Sequence, residues 1–334
     1  MIRPIAPIEP LREQPTEPAA ARTLAARPAA SLAVVILTHN EAIHLDRCLS
    51  AIASIAAEVF VIDSGSTDAT VEIAEKHGAT VLYNPWTNYA QQFQWGLDNA
   101  PITADWLMRL DADEVIEPDL AAEIARRLPA LPPEITGINL KRKHVFMGRW
   151  IRHGGRYPLV LLRIWRRGKA RIEQRWMDEH MLLTAGRAIT CEGGFADVNL
   201  NDLSYFIDKH NRYATREAVD VINQRRGLFR RDTGLAAQNT SARASVTRLL
   251  KEKLYNRLPF ELSATLYFLL RYVVQLGFLD GRAGAVYHLL QGFWYRYLVG
   301  AKVLEFERAL GALDGEAARE RLSQLTGLKI AANS

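Results

Sequence analysis

Residues 32–41 read Leu32-Ala33-Val34-Val35-Ile36-Leu37-Thr38-His39-Asn40-Glu41, and the fold can be read outward from them. Six apolar residues in a row, β-branched at the centre, suit a strand buried on both faces. Polar residues then end the run, and Asn40 is a good helix N-cap. Ile43, Leu45, Cys48, Leu49, Ile52 and Ile55 follow at helical spacing. The same unit recurs downstream. Val59-Phe60-Val61-Ile62 is a second buried strand, ending in Asp63. Ser66 or Thr67 can cap a helix carrying Val71, Ile73 and Ala74, which stops at Gly78. Thr80 to Tyr83 is a third strand, residues 90–100 a helix, and Trp106 to Leu110 a fourth strand running into Asp111-Ala112-Asp113-Glu114. Pro118 opens another helix at its first turn.

Strand–helix alternation at this pitch predicts a doubly covered, mostly parallel, Rossmann-like α/β sheet. Ligands of such sheets bind at the carboxyl ends of the strands. Three polar clusters fall at those ends: Thr38 to Glu41, Asp63 to Asp68, and Asp111 to Glu114. Residues 135–150 and 159–165 read as further strands, and a helix-rich region begins near Leu203.

Composition narrows the classes. The chain has 334 residues, 49% hydrophobic and 24% charged, which excludes wholesale disorder. Two cysteines, Cys48 and Cys191, exclude a disulfide scaffold and a Cys-rich zinc site. Residues 1–30, rich in Pro, Ala, Arg and Glu, lack an apolar signal core and are expected to be a disordered leader on a cytoplasmic protein. A catalytic domain is expected over 31–220 and a helical region over 221–334.

Each cluster suggests a role. Asp111 and Asp113 are two carboxylates one residue apart at a strand end, and they repel unless a cation joins them to a partner. A hard divalent ion, Mg²⁺ or Mn²⁺, takes one or two carboxylates plus phosphate oxygens. Asp63 can accept a hydrogen bond from a base or a ribose. Gly65 lets a ligand approach the backbone, and Asp68 can shape the loop or place the ribose. Thr38, Asn40, Glu41 and Ser66 complete the candidate donor pocket.

In order, Val-Val-Ile-Leu-Thr-His-Asn-Glu, Val-Ile-Asp-Ser-Gly-Ser-Thr-Asp and Leu-Asp-Ala-Asp-Glu resemble family 2 glycosyltransferases of the GT-A fold, over about residues 32–117. The resemblance implies a nucleotide-sugar donor, with uridine the expected base near Asp63. It implies metal coordination through Asp113, with Asp111 at the metal or the donor sugar, and inversion at the anomeric carbon. It also implies a carboxylate base in Met177-Asp178-Glu179-His180, where lipopolysaccharide-core and exopolysaccharide transferases commonly carry His-Glu. Glu179 is the expected base and Asp178 the runner-up. Lys209-His210-Asn211-Arg212-Tyr213-Ala214 resembles the Lys-x-x-x-Tyr-Ala segment of the same enzymes. Lys209 and Arg212, three apart on one helical face, could meet phosphates.

Two basic regions need a partner. From Lys141 to Arg175 there are twelve Lys/Arg against one acid, Glu173. The second runs from Arg225 to Arg257 and includes Arg226, Arg230, Arg231, Arg243, Arg248, Lys251 and Lys253. No nucleic-acid-binding signature accompanies them, so no nucleic acid is expected, and an anionic membrane surface is the expected partner. Residues 258–279 and 284–303 are apolar but interrupted by charge, which suits helices lying in the membrane interface better than spans. The turn between them is expected at Gly277-Phe278-Leu279-Asp280-Gly281. The expected acceptor is a lipid-linked saccharide on the inner face of the bacterial cytoplasmic membrane. Two rivals remain: a polyprenyl-phosphate glycosyl synthase, which needs no carboxylate base, and a non-catalytic scaffold binding lipid or nucleic acid.

Overall fold

The computed structural model describes residues 30–173, 179–229, 258–328 and 330. The expected leader (apart from Ala30), Asp178 and the basic residues between 230 and 257 lie outside the described residues. Eleven strands are described: β1 (Leu32–Thr38), β2 (Glu58–Asp63), β3 (Thr80–Tyr83), β4 (Trp106–Asp111), β5 (Glu114–Ile116), β6 (Ile135–Phe146), β7 (Arg149–Trp150), β8 (Leu159–Arg166), β9 (Ala170–Ile172), β10 (Met181–Leu183) and β11 (Arg187–Val198). The helices are α1 (Ala42–Ile52), α2 (Thr70–Lys76), α3 (Tyr89–Asn99), α4 (Pro118–Arg127), α5 (Leu203–Arg226), α6 (Phe260–Leu269), α7 (Gly281–Tyr287), α8 (Tyr295–Leu310) and α9 (Gly315–Thr326).

The main sheet has the order β3-β2-β1-β4-β8-β6-β11-β5, with β7 hydrogen-bonded to β6. Its first half, β3-β2-β1-β4, is parallel as the strand–helix alternation predicts. The second half is mixed: β8 runs antiparallel to both β4 and β6, β11 is parallel to β6, and β5 is antiparallel to β11. β9 and β10 form a separate hairpin.

Alternation along β1 divides the core into two layers. Val34 and Ile36 face α1 and α4, packing with Leu45, Leu49, Ile52, Leu120 and Ile124. Ala33 and Val35 face α3, packing with Ala90, Phe93 and Trp165. A strand covered on both sides has no polar positions to spare, which explains its unbroken apolar run.

One expectation about helix entry needs correction. Asn40 does not cap α1. It takes a left-handed backbone conformation (φ 56°), and its side chain accepts a hydrogen bond from Thr67 N in the next loop. The first donors of α1 are satisfied from that same loop: Glu41 N donates to Thr70 Oγ1 and Ala42 N to Asp68 Oδ2. The cap is thus supplied in trans, which locks the β1–α1 and β2–α2 loops together.

Helix α5 runs unbroken through residue 220, so a continuous rod joins the sheet to the helical region. Ala214, Ala218, Val219 and Ile222 of α5 pack with Val299, Val303, Phe306 and Leu310 of α8. α6 continues into a π-helical turn (Leu270–Val274), a 3-10 turn (Gly277–Asp280) reverses the chain, and a second π-helical stretch (His288–Trp294) joins α7 to α8. Among the described residues no single helix is long and apolar enough to cross a membrane. The pair Phe260–Val274 and Gly277–Leu310, bent by 69°, passes that test only together.

Candidate active site

Strand register brings the three polar clusters to one edge. Thr38 sits beside Asp63 across β1 and β2, and Leu37 beside Asp111 across β1 and β4. The carboxylates are then sorted by their partners.

Asp63 is committed to its own loop. Its Oδ1 accepts from the Thr38 and Ser66 hydroxyls, and its Oδ2 from Gly65 N and Ser66 N, each at 2.8 Å. Burial works against the charged form, but these donors hold the carboxyl below its ordinary value. Asp63 therefore shapes its own loop, in which Gly65 takes a positive φ of 94°. Asp68 is likewise held down, against burial, by Thr70 and Ala42. Ser66 Oγ accepts from Asn40 N at 2.8 Å. Glu41 accepts from His44 Nδ1 at 2.6 Å while His44 Nε2 accepts from Leu200 N, so the His44 proton lies on Nδ1.

Asp111 and Asp113 differ sharply. Asp111 accepts from Tyr89 Oη and from Arg163 Nη2 (3.2 Å), with Arg109 Nε 3.8 Å away. Burial opposes ionisation, yet Arg163 and Arg109 hold this carboxyl far below the usual carboxylate range. Among the described residues, Asp113 has one bond to its side chain, from Asn199 Nδ2 to Oδ2 at 3.0 Å. Burial and the charge of Asp197 push its carboxyl up, and Lys209 pulls the other way. A carboxylate crowded by like charge, with its second oxygen unbonded, fits a divalent cation. Among the described residues no three His, Cys, Asp or Glu side chains form a ready-made metal cluster. Phosphate oxygens would have to complete the shell, as Mg²⁺ prefers.

Several further residues complete the site. Glu114, fully buried, accepts from Arg163 Nη2 at 2.5 Å and from Asp111 N at 3.0 Å. Burial pushes its carboxyl up to about 7 in spite of Arg163. Asp197 on β11 meets His144 Nδ1 at 3.0 Å and Arg142 at 3.9 Å. Tyr89, Arg109, Arg163, Asp197 and Asn199 were not singled out from sequence. Arg109 and Arg163 did leave a trace, since each is a charge inside an apolar strand and must find a partner.

The remaining expected residues are spread. Lys209 is half-buried beside the Tyr205 and Tyr213 rings, and the charges of Asp113 and Asp197 help raise its pKa against burial. Arg212 is exposed one turn on. Glu179 is half-buried, and its backbone carbonyl accepts from Arg109 Nη1 at 3.1 Å, while Arg109 Nε donates to Tyr89 Oη. That chain ties the Glu179 segment to Asp111.

Residues 33–192 match the family model described as glycosyl transferase family 2. This chain carries a family 2 glycosyltransferase domain. An uncharacterized glycosyltransferase of Rickettsia bellii is 40% identical over 93 residues, 28% of this chain and 31% of that protein. The chain thus spans about a third of the length of that relative. The lipopolysaccharide core biosynthesis glycosyltransferase LpsC of Rhizobium meliloti is 28% identical over 204 residues, 57% of this chain and 72% of LpsC. Among solved structures, glucosyl-3-phosphoglycerate synthase from Mycobacterium tuberculosis, in complex with Mn²⁺, UDP and glucosyl-3-phosphoglycerate, is similar at 22% identity. Its TM-score is 0.30, over 36% of this chain and 46% of that one.

Proposed function

We propose that this glycosyltransferase moves a sugar, with inversion, from a nucleoside diphosphate sugar to a lipid-linked saccharide during lipopolysaccharide-core or exopolysaccharide assembly. Uridine is the proposed base. The carrying observation is the register that sets Thr38, Asp63 and Asp111 at one sheet edge, next to the half-open carboxylate of Asp113. The similarity to LpsC supports the polysaccharide context.

The β1–α1 and β2–α2 loops, laced by Asn40, Ser66 and Asp68, cradle the nucleoside. Asp111, held ionised by Arg163, accepts from a donor hydroxyl. Glu179 takes the proton from the acceptor hydroxyl, whose oxygen bonds to the anomeric carbon as the bond to the diphosphate breaks. Lys209 stabilises the departing charge. Mg²⁺ or Mn²⁺, bound through Asp113, would neutralise further diphosphate charge. Exposed Leu262, Leu266, Leu269, Val273, Phe278 and Leu279 form an apolar face on the helical hairpin. That face suits attachment to the inner surface of the cytoplasmic membrane.

The test is metal-dependent release of nucleoside diphosphate from a panel of nucleotide sugars. Turnover with at least one donor is expected, lost on adding a chelator and lost in Asp113→Asn. Glu179→Gln should fall about 100-fold or more in transfer to a saccharide hydroxyl. Undiminished transfer by Asp113→Asn would overturn the assignment.

A further inference from the structure

The helical hairpin meets the sheet domain at a junction that is unusually basic and poorly neutralised. Arg271 is 4% exposed and pairs with no acid among the described residues. Its Nε donates to Gly154 O at 2.8 Å, its Nη1 to Gln291 Oε1 at 2.5 Å, and its Nη2 has no partner among the described residues. Arg156 is half-buried, and its Nε is likewise buried and unpartnered. The two guanidinium carbons lie 5.6 Å (Arg156) and 5.8 Å (Arg271) from the centroid of one ring, Tyr287. The Tyr287 hydroxyl is buried without a partner among the described residues. His144 contacts the same ring at 4.9 Å and turns an unpartnered Nε2 inward, while its Nδ1 is held by Asp197. The nearby carboxylate on the hairpin, Asp280, is taken by His153 through both the backbone N (2.9 Å) and Nδ1 (2.7 Å). Arg271 also lies in one of two neighbouring π-helical stretches, a rare form that is frequent at functional sites.

Burying guanidinium groups without a counter-charge is costly, and removing the partner of a buried charge is among the more damaging changes a protein can suffer. We infer that Arg156, Arg271 and the Tyr287 hydroxyl form a phosphate-binding subsite between the sheet domain and the hairpin. The planar guanidinium fork suits a phosphate, and a phenol adds a third donor. Tyr287 touches His144, which Asp197 holds, and the charge of Asp197 in turn acts on Asp113. The phosphate can come from a lipid-linked acceptor or from the donor diphosphate. The lipid source rests on the membrane-facing reading above.

The experiment uses the full chain, with Arg156→Ala, Arg156→Lys and, as a control on the same loop, the exposed Arg152→Ala. Three probes are measured: inorganic phosphate, UDP with Mg²⁺, and phosphatidylcholine vesicles with and without phosphatidic acid. Phosphate is expected to bind the parent protein and to bind Arg156→Ala about tenfold more weakly or worse, with Arg156→Lys intermediate and Arg152→Ala unchanged. Loss of the phosphatidic acid preference in Arg156→Ala beyond that in Arg152→Ala, with UDP unchanged, assigns the subsite to a lipid-borne phosphate. A parallel loss of UDP binding assigns it to the donor. Equal phosphate binding by folded parent and Arg156→Ala overturns the subsite. If UDP with Mg²⁺ still binds in that case, the sugar-transfer reading stands without it.

Discussion

Arg163 carries more of the site than its position in an apolar strand suggests. It is 3% exposed and holds both Glu114 and Asp111. Replacing it with Met should leave Glu114 buried against Asp111 with its main counter-charge gone. We expect a loss of about 3–5 kcal/mol in urea unfolding, partly restored by adding Glu114→Gln. No loss would mean that water or Arg142 already serves Glu114. Asp113 should behave in the opposite way. Its carboxyl is pushed up by burial and by Asp197, so its charge is a burden on the fold at neutral pH. Asp113→Asn should unfold at the same or higher urea concentration than the parent while losing turnover, the pattern of a residue kept for function. A marked fall in stability would instead make it a structural residue.

At the level of elements, the parallel half of the sheet was legible because its strands are short, mainly apolar runs and helices follow them at 3.6-residue spacing. The acidic clusters were legible because they interrupt those runs at strand ends. The crossing of the loops was not. Asn40 has every local property of a cap, and only the packing of β1 beside β2 brings Asp68 and Thr70 close enough to replace it. Asp197 and Asn199 were hidden for a related reason: they sit at the end of β11, whose pairing with β6 and β5 spans many residues of sequence. The fit of α3 on the sheet is tested at Gly96, where an added Cβ would lie 2.7 Å from Ile62 Cγ1 and 3.6 Å from Val35 Cγ1. Gly96→Ala should cost about 1–3 kcal/mol in spite of its better helix propensity. A stabilised variant would show that α3 packs further from β2.

Across the whole molecule, a histidine sits at each of two packing seams: His288, buried where the hairpin meets the sheet domain, and His210 of α5, half-buried against Tyr295 of α8. Burial, with the charges of Arg271 and Arg156, pushes His288 down to about 4, and burial does the same for His210 despite its bond to Phe206 O. Unfolded, both would bind protons near pH 6.5, so the unfolded state holds more protons between those values. Their contribution to stability is therefore full above about pH 6.5 and lost as the pH falls toward 4. A urea midpoint measured from pH 7.5 to 4.5 should fall through that window, and less steeply in His288→Gln if that variant folds. A flat profile would show that both rings are solvated.

The central claim is that carboxylates delivered by separate strands hold a nucleoside diphosphate through a divalent ion at one sheet edge. Titrating Mn²⁺ into the full chain with UDP, followed by electron paramagnetic resonance, tests it most directly. The account predicts one bound Mn²⁺ whose affinity depends on UDP and falls at least tenfold in Asp113→Asn but not in Arg212→Ala. Equal Mn²⁺ binding by the parent protein and Asp113→Asn, with or without UDP, would contradict it.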